Sequence, residues 1–283
     1  MRRILFLIAD AGRAHNDNHE RLPAGFRAAG WQVTVRNHDS ICLQAGGILA
    51  GTEAVDAFDR VWVLGLGRAD TFFDRMQLLR YVPQERLVTR IDALVYHHAK
   101  YAWSEYMPET HASNDPDWLA AIVARGGDWV AKPTAGSYGR DVVRIGAGDD
   151  CVATLRRLTG GEQRHYCLLQ RFAPQIDQGE KRTLIAGKEL IGTYLRLPGQ
   201  DFRTNLSLAG RAAPTVLTDD EQRLVERVRD EIARDGVGFA AIDIAWPYLM
   251  EVNLANPGGL ATLEEVYGQD FTGAVVAALT HDQ

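Results

Sequence analysis

The stretch FAAIDIAWPYLMEVNLANPGG, residues 239–259, decides the reading of this chain. Two apolar runs flank Trp246 and Pro247, so the segment reads as a β-hairpin. Yet Asp243 interrupts the first strand, and Glu251 and Asn253 interrupt the second. With a three-residue loop, Asp243 and Glu251 stand directly opposite each other, and Asn253 shares their face because side chains alternate along a strand. Two carboxylates at cross-strand distance repel unless a cation lies between them. Asp, Glu and Asn also supply the hard oxygen ligands that Mg²⁺ prefers, usually with phosphate oxygens completing the shell. A sheet with one wet face would carry the same acids without any metal. The hairpin alone leaves both readings open.

Working outward, the segment TDDEQRLVERVRDEIARDG before the hairpin reads as a helix. Thr218 and Glu221 form a capping box, Leu224, Val225, Val228 and Ile232 make one apolar stripe, and Gly236 ends it. Farther upstream, HYCLLQRF is a strand. DWVAKP and RDVVRIG are two strands joined by a Gly-containing turn, preceded by a helix with Asp115 as N-cap and Pro116 at its first position. The first 98 residues alternate strand and helix: RILFLIA, the helical HERLPAGFRAAG closed by Gly30, WQVTVRN and RVWVLGLG. That alternation suggests a small doubly wound α/β domain. LGLGRAD lacks the full dinucleotide fingerprint, which weighs against a nicotinamide cofactor.

The 283 residues suffice for a large core and two or three subdomains. Acids outnumber bases 37 to 31, for a net charge of −6, which argues against a nucleic-acid binder. Three cysteines, Cys42, Cys151 and Cys167, have no CxxC spacing and read as reduced thiols of a cytoplasmic protein. MRRILFLIADAG has the look of a signal peptide, but its apolar run is short and Asp10 ends it, so a buried first strand is the better reading. No run approaches the roughly 20 apolar residues that span a membrane.

Only four of the 31 bases are lysine: Lys100, Lys132, Lys181 and Lys188. Lys132 ends an apolar strand ahead of the loop TAGSYG. There Gly136 and Gly139 would let backbone N–H groups approach phosphate oxygens, with Lys132 as a point charge beneath. A Gly-containing hairpin turn explains the same residues. Arg182, Arg196 and Arg203, with Asn205, lie in nearby segments and suit two-point carboxylate binding, or else are solvated strand arginines. HNDNH (residues 15–19), His97 and His98 lack a convincing third metal ligand and read as loop histidines.

In order and spacing, KYAWSEYMPET, KPTAGSYGRDVVR, LQRFAPQIDQGEKRTLIAGKELIGTYLRLP, RTNLSLAG, LTDDE and the hairpin resemble the bacterial glutathione synthetases of the ATP-grasp superfamily. The resemblance implies a mixed α/β (α+β) ATP-grasp fold. Its parts would be a preATP-grasp α/β domain (1–98), a central lid subdomain (99–166) and a C-terminal subdomain with the metal site (167–283). It implies an ATP-dependent carboxylate–amine ligase that forms an amide through an acylphosphate, with γ-glutamylcysteine and glycine as the leading pair. A related ligase with another acid and amine, or a non-catalytic ATP-binding regulatory protein, is the alternative.

On this resemblance Lys100 and Lys132 would contact ATP phosphates, and the loop Gly136, Ser137, Tyr138, Gly139 would cover them. Gln170, Arg171 and Phe172 would form the adenine-facing hinge. Asp243, Glu251 and Asn253 would hold Mg²⁺, with Mn²⁺ as a substitute. Arg182, Arg196 and Arg203 would serve the acceptor carboxylate and the acylphosphate, and Asn205, Asn256, Gly258 and Gly259 the substrates. The chain departs from the family pattern at Tyr138, Glu180, Thr204 and NPGG. The resemblance also implies a dimer or tetramer working on small molecules in the cytoplasm.

Overall fold

The computed structural model describes residues 1–9, 16–134, 141–146, 150–199 and 210–280. Of the residues expected at the site, Gly136, Ser137, Tyr138, Gly139, Arg203 and Asn205 lie outside these segments.

The N-terminal part contains strands β1 (Arg3–Ile8), β2 (Gln32–Asn37), β3 (Ile41–Gln44), β4 (Gly47–Ala50), β5 (Glu53–Ala54) and β6 (Arg60–Leu64). Its helices are α1 (Asn18–Ala28), α2 (Phe72–Leu79) and α3 (Ile91–His97). β1 pairs in parallel with both neighbours, in the order β2-β1-β6. Its near-continuous apolar sequence follows from burial on both faces. Ile4 and Phe6 pack against α1 through Leu22 and Phe26, whereas Leu5 and Leu7 face Met76, Leu79, Ile91 and Leu94 of α2 and α3. Helices on both faces match the doubly wound expectation. β3, β4 and β5 form a small antiparallel sheet between β2 and β6 that the sequence reading passed over.

The middle part holds β7 (Thr110–Ser113), α4 (Pro116–Val123), β8 (Trp129–Pro133), β9 (Val143–Ile145), α5 (Cys151–Leu158) and β10 (Cys167–Arg171). Asp115 caps α4, accepting from the Asp117 and Trp118 amides. The strands form one antiparallel sheet in the order β7-β10-β8-β9, so the expected boundary at 166/167 falls just before a strand of this sheet. α4 and α5 cover it with a separate apolar cluster that includes Leu119, Val123, Trp129, Leu155 and Leu169.

The remainder carries β11 (Glu180–Ala186), β12 (Glu189–Leu197), β13 (Arg211–Pro214), α6 (Asp219–Arg234), β14 (Phe239–Ala245), β15 (Tyr248–Asn253), α7 (Leu260–Tyr267) and α8 (Thr272–Thr280). The Thr218–Glu221 capping box forms as expected, and Val225, Val228 and Ile232 are buried. The five strands run antiparallel in the order β13-β12-β11-β14-β15. β14 is buried along its whole length. Ile242 and Ile244 join the cluster of Leu5 and Leu7, while Phe239 and Ala241 join that of Ile4 and Phe6.

The hairpin loop is shorter than expected, with only Trp246 and Pro247 between the strands. A bulge at Met250 makes up the difference: Ala245 pairs with Tyr248 and Ile244 with Leu249, but Asp243 pairs with Glu251. The extra residue lets Leu249 and Val252, three apart, enter the same core cluster while Glu251 and Asn253 share the other face.

Candidate active site

One register row across the five-stranded sheet builds the site: Tyr194 on β12, Arg182 on β11, Asp243 on β14 and Glu251 on β15. Directly paired residues share a face, so arginine and acid meet side by side. Arg182 grips Asp243 in bidentate fashion, Nε donating to Oδ1 (2.7 Å) and Nη2 to Oδ2 (2.6 Å). Arg196, from the adjacent row, donates to the same Oδ2 (2.9 Å) and pairs with Glu180 opposite it on β11. Asp243 is 0% exposed, and Arg196 and Glu180 are each 7% exposed. The wet-face reading fails for Asp243, as does the reading of Arg182 and Arg196 as solvated strand arginines.

At the other end, Lys100 Nζ donates to Glu251 Oε1 (2.6 Å). Lys100 follows α3, and the Tyr106 carbonyl accepts from the Leu249 amide (3.0 Å), seating the segment 100–107 against β15. Asn253 Nδ2 spans the two acids, donating to Asp243 Oδ2 (3.3 Å) and Glu251 Oε2 (3.2 Å). Lys132 arrives from β8 of the other sheet, its Nζ donating to Gln170 Oε1 (3.1 Å) on β10. Gln170 is 3% exposed and is fixed in turn by donating to Thr110 Oγ1 (2.9 Å) on β7.

These charges set one another's protonation. Burial opposes ionisation of Glu251, but Lys100, with help from Lys132 and Arg182, holds its carboxylate well below the usual range. Burial likewise opposes ionisation of Asp243, and the two arginines override it to lower its pKa. Arg182, whose charge burial disfavours, is held firmly protonated by Asp243. Lys132 is pushed down to about 8 by burial and by the like charge of Lys100, against the pull of Glu251. His98 is also lowered, chiefly by burial, with Glu251 opposing and Lys100 adding to the shift. Its proximity to this charge row went unread in the sequence.

Asp243, Glu251 and Asn253 do converge as expected. Turning the Asn253 amide about its last torsion would place its oxygen where the nitrogen now bridges the acids, so the three side chains offer a hard-oxygen set suited to Mg²⁺. Among the described residues no group of three His, Cys, Asp or Glu side chains forms a metal site. His97 instead pairs with Asp235 (2.6 Å) and stacks on Trp103, in a helix rather than a loop. His19, in the first turn of α1, donates to the carbonyl of Asn16, which precedes the helix (2.9 Å).

The expected hinge residues divide. Gln170 points to Lys132, but the Arg171 guanidinium stacks over Trp129 (4.0 Å) and pairs with Glu109. Phe172 lies under Arg144 (3.9 Å). The Arg171 and Phe172 amides donate to the Glu109 and Asp128 carbonyls. Gly258 and Gly259 abut the row. The Gly258 carbonyl accepts from Arg182 Nη1 (3.0 Å), and a Cβ on Gly259 would lie 2.4 Å from the Tyr194 hydroxyl. Gly259 also has φ +119°, a conformation open to glycine. Asn256 is held by Asn16 and Asn18, which no sequence signal had marked.

An antiparallel sheet presenting acids, a second sheet delivering a lysine to them, and a parallel α/β unit packed behind make up the ATP-grasp fold. D-cycloserine synthetase DcsG superposes with a TM-score of 0.69, at 18% identity, covering 98% of this chain and 100% of its own. The macrocyclase MdnC bound with precursor peptide MdnA from Microcystis aeruginosa MRC gives 0.69 at 16% identity, covering 99% and 100%.

Residues 98–268 match the family described as prokaryotic glutathione synthetase, ATP-grasp domain, and the chain belongs to that family. Glutathione synthetase of Xanthomonas campestris pv. campestris is 35% identical over 175 residues, 61% of this chain and 55% of that protein. Its counterpart in a Nostoc species is 29% identical over 175 residues, 62% and 54%. The chain thus matches these curated relatives over about half of their length. Among the described residues no helix is long and apolar enough to cross a membrane.

Proposed function

We propose that the chain is an ATP-dependent carboxylate–amine ligase that forms an amide through an acylphosphate, with γ-glutamylcysteine and glycine as the first pair to test. The observation that carries this reading is the unbroken row Arg182–Asp243–Glu251–Lys100, flanked by Arg196 and Lys132. It sets firmly charged carboxylates beside cations suited to phosphate and carboxylate oxygens. Lys100 and Lys132 would hold the ATP phosphates, Lys132 oriented by Gln170. Mg²⁺ or Mn²⁺ held by Asp243, Glu251 and Asn253 would neutralise phosphate charge during phosphoryl transfer.

Arg182 and Arg196 would hold the acceptor carboxylate and then the acylphosphate, with Arg203 and Asn205 completing that pocket. The γ-phosphoryl group passes to the carboxylate and ADP leaves. The amine then attacks the acyl carbon, loses a proton and expels phosphate. Positioning and charge neutralisation suffice, so no Ser or Cys nucleophile is required. Gly136 to Gly139 would close over the phosphates and exclude water that would hydrolyse the acylphosphate. The division at 98 and 166, a dimer or tetramer, and a cytoplasmic setting, which suits three free cysteines, belong to the same proposal.

A second reading, a related ligase for another acid and amine, is favoured by NPGG. Asn256 there takes part in a clasp with the N-terminal unit instead of standing free beside a substrate. The test is ADP release from Mg-ATP and γ-glutamylcysteine, with and without glycine, followed by mass spectrometry. Glycine-dependent formation of glutathione supports the first pair. Turnover only with other pairs supports the second reading, and ATP binding without turnover by any pair supports a regulatory protein.

A further inference from the structure

The loop 254–259, which follows the candidate metal ligands, is held from two sides. From the N-terminal unit the Gly65 amide donates to the Ala255 carbonyl (2.7 Å), and Asn16 Nδ2 donates to the Asn256 carbonyl (3.2 Å). Asn18 Nδ2 donates both to Asn256 Oδ1 and to the Pro257 carbonyl (2.9 Å each). From the sheet, Arg182 Nη1 donates to the Gly258 carbonyl (3.0 Å) while its other nitrogens grip Asp243. Polar contacts therefore run from Asn18, through three residues of loop, to Arg182 and Asp243.

Asn18 is an odd choice if stability alone were served. It is 1% exposed, and among the described residues its Oδ1 has no hydrogen-bond partner. A buried acceptor left unmatched costs free energy, which here is set against the two bonds that the same amide donates to the loop. The Pro257 carbonyl can only accept, which settles the amide orientation and leaves Oδ1 as the unmatched atom. What Asn18 contributes is the place of the loop. Both asparagines also precede residue 98, where the family match begins.

We propose that Asn18, supported by Asn16, is a positioning residue of the acceptor site. It sets where the loop 254–259 presents Gly258 and Gly259 to Arg182, so the N-terminal unit takes part in choosing the acceptor. This rests on the ligase reading above. Asn18→Asp keeps the shape but turns an oxygen toward the Pro257 carbonyl. Asn18→Leu fills the same space with no donor.

The test is steady-state kinetics of the full chain, with melting temperature and amide hydrogen exchange in parallel. Both variants are expected to raise KM for the acceptor substrates about tenfold while KM for ATP stays within about twofold. Exchange in the loop 254–259 should quicken about tenfold, with exchange in α1 unchanged. Asn18→Leu removes the unmatched Oδ1 but strands Asn256 Oδ1 and the Pro257 carbonyl, so it should melt below the unsubstituted protein, and the split between acceptor KM and ATP KM separates the clasp from a packing role. Unchanged acceptor KM in either folded variant overturns the proposal. So does an equal effect on ATP and acceptor accompanied by faster exchange throughout α1. An unsubstituted chain that turns over no acid–amine pair overturns the ligase reading itself, an outcome distinct from a fault confined to the variants.

Discussion

The two sheets that meet at the site are secured differently. The five-stranded sheet has a strand, β14, buried on both faces, each in a cluster that also holds residues of the N-terminal parallel sheet. Phe239 packs edge-on to Trp62, which stacks on Phe6, so residues more than two hundred positions apart form one core. The four-stranded sheet has its own apolar cluster, drawn only from residues between Leu119 and Leu169. Arg182, Arg196, Asp243, Glu251 and Asn253 thus stand on a platform that cannot shift without disturbing the shared core, whereas Lys132 and Gln170 ride on a unit cored separately. The acids and arginines share their core with the N-terminal sheet, whereas Lys132 is carried by a unit with a core of its own.

The largest effect is expected on the platform. Asp243→Asn leaves two buried guanidinium groups short of a charge. It should lower ATP turnover a thousandfold or more and cost on the order of 3 kcal/mol in denaturant unfolding. A stable, active Asp243→Asn protein would sink the assignment of the site. Next, Leu155→Ala in the separate core should cost about 3 kcal/mol, with faster amide exchange confined to the four-stranded sheet and its helices. Ile242→Ala should cost a similar amount but loosen the N-terminal and C-terminal sheets together. If both substitutions produced the same exchange pattern, the contrast between the cores would not hold.

Lys132 offers a test by pH. Its pKa falls from 10.5 to about 8 on folding, so below pH 8 the buried ammonium destabilises the folded state by up to roughly 3 kcal/mol. Between about 8 and 10.5 the folded protein releases this proton while the unfolded chain retains it, so stability from this group rises with pH. Lys132→Met should therefore be more stable than the unsubstituted chain below pH 8, with the gap closing as pH approaches 10.5, even as nucleotide affinity falls. Thermal melts of both proteins across that range check the sign. The smallest effect is expected from Gln170→Leu. Losing the acceptor for Lys132 should raise KM for ATP about tenfold, with kcat much less affected.

Much of the platform was legible in the letters of the chain. An acid in the middle of an otherwise apolar strand needs a reason, and Asp243 found one in two arginines that the family resemblance had already marked. Helix α6 was legible because capping box, stripe and terminal glycine agree with one another. The small β3–β4–β5 sheet was not, since its strands have two to four residues and two-residue connections, each with one glycine. β7 was missed because all four of its residues are half-buried and show no alternation. The clasp of Asn16 and Asn18 on Asn256, about 240 positions away, has no local signature at all. The hinge illustrates the reverse limit: a motif can place Arg171 next to Gln170 but cannot say that its side chain turns outward onto Trp129.

The bulge at Met250 separates two tasks that a plain hairpin would tie together. In an unbroken ladder, a one-residue slip in register turns every following side chain to the opposite face and would send Glu251 and Asn253 into the apolar core. Here an out-of-step residue stands between the tip and the acids, and the pairs Asp243–Glu251, Ile242–Val252 and Ala241–Asn253 are set by what lies on either face. The tip at Trp246, 43% exposed, is therefore insulated from the chemistry. It is a place where evolution, or an engineer attaching a tag, can rewrite the turn without rewriting the site.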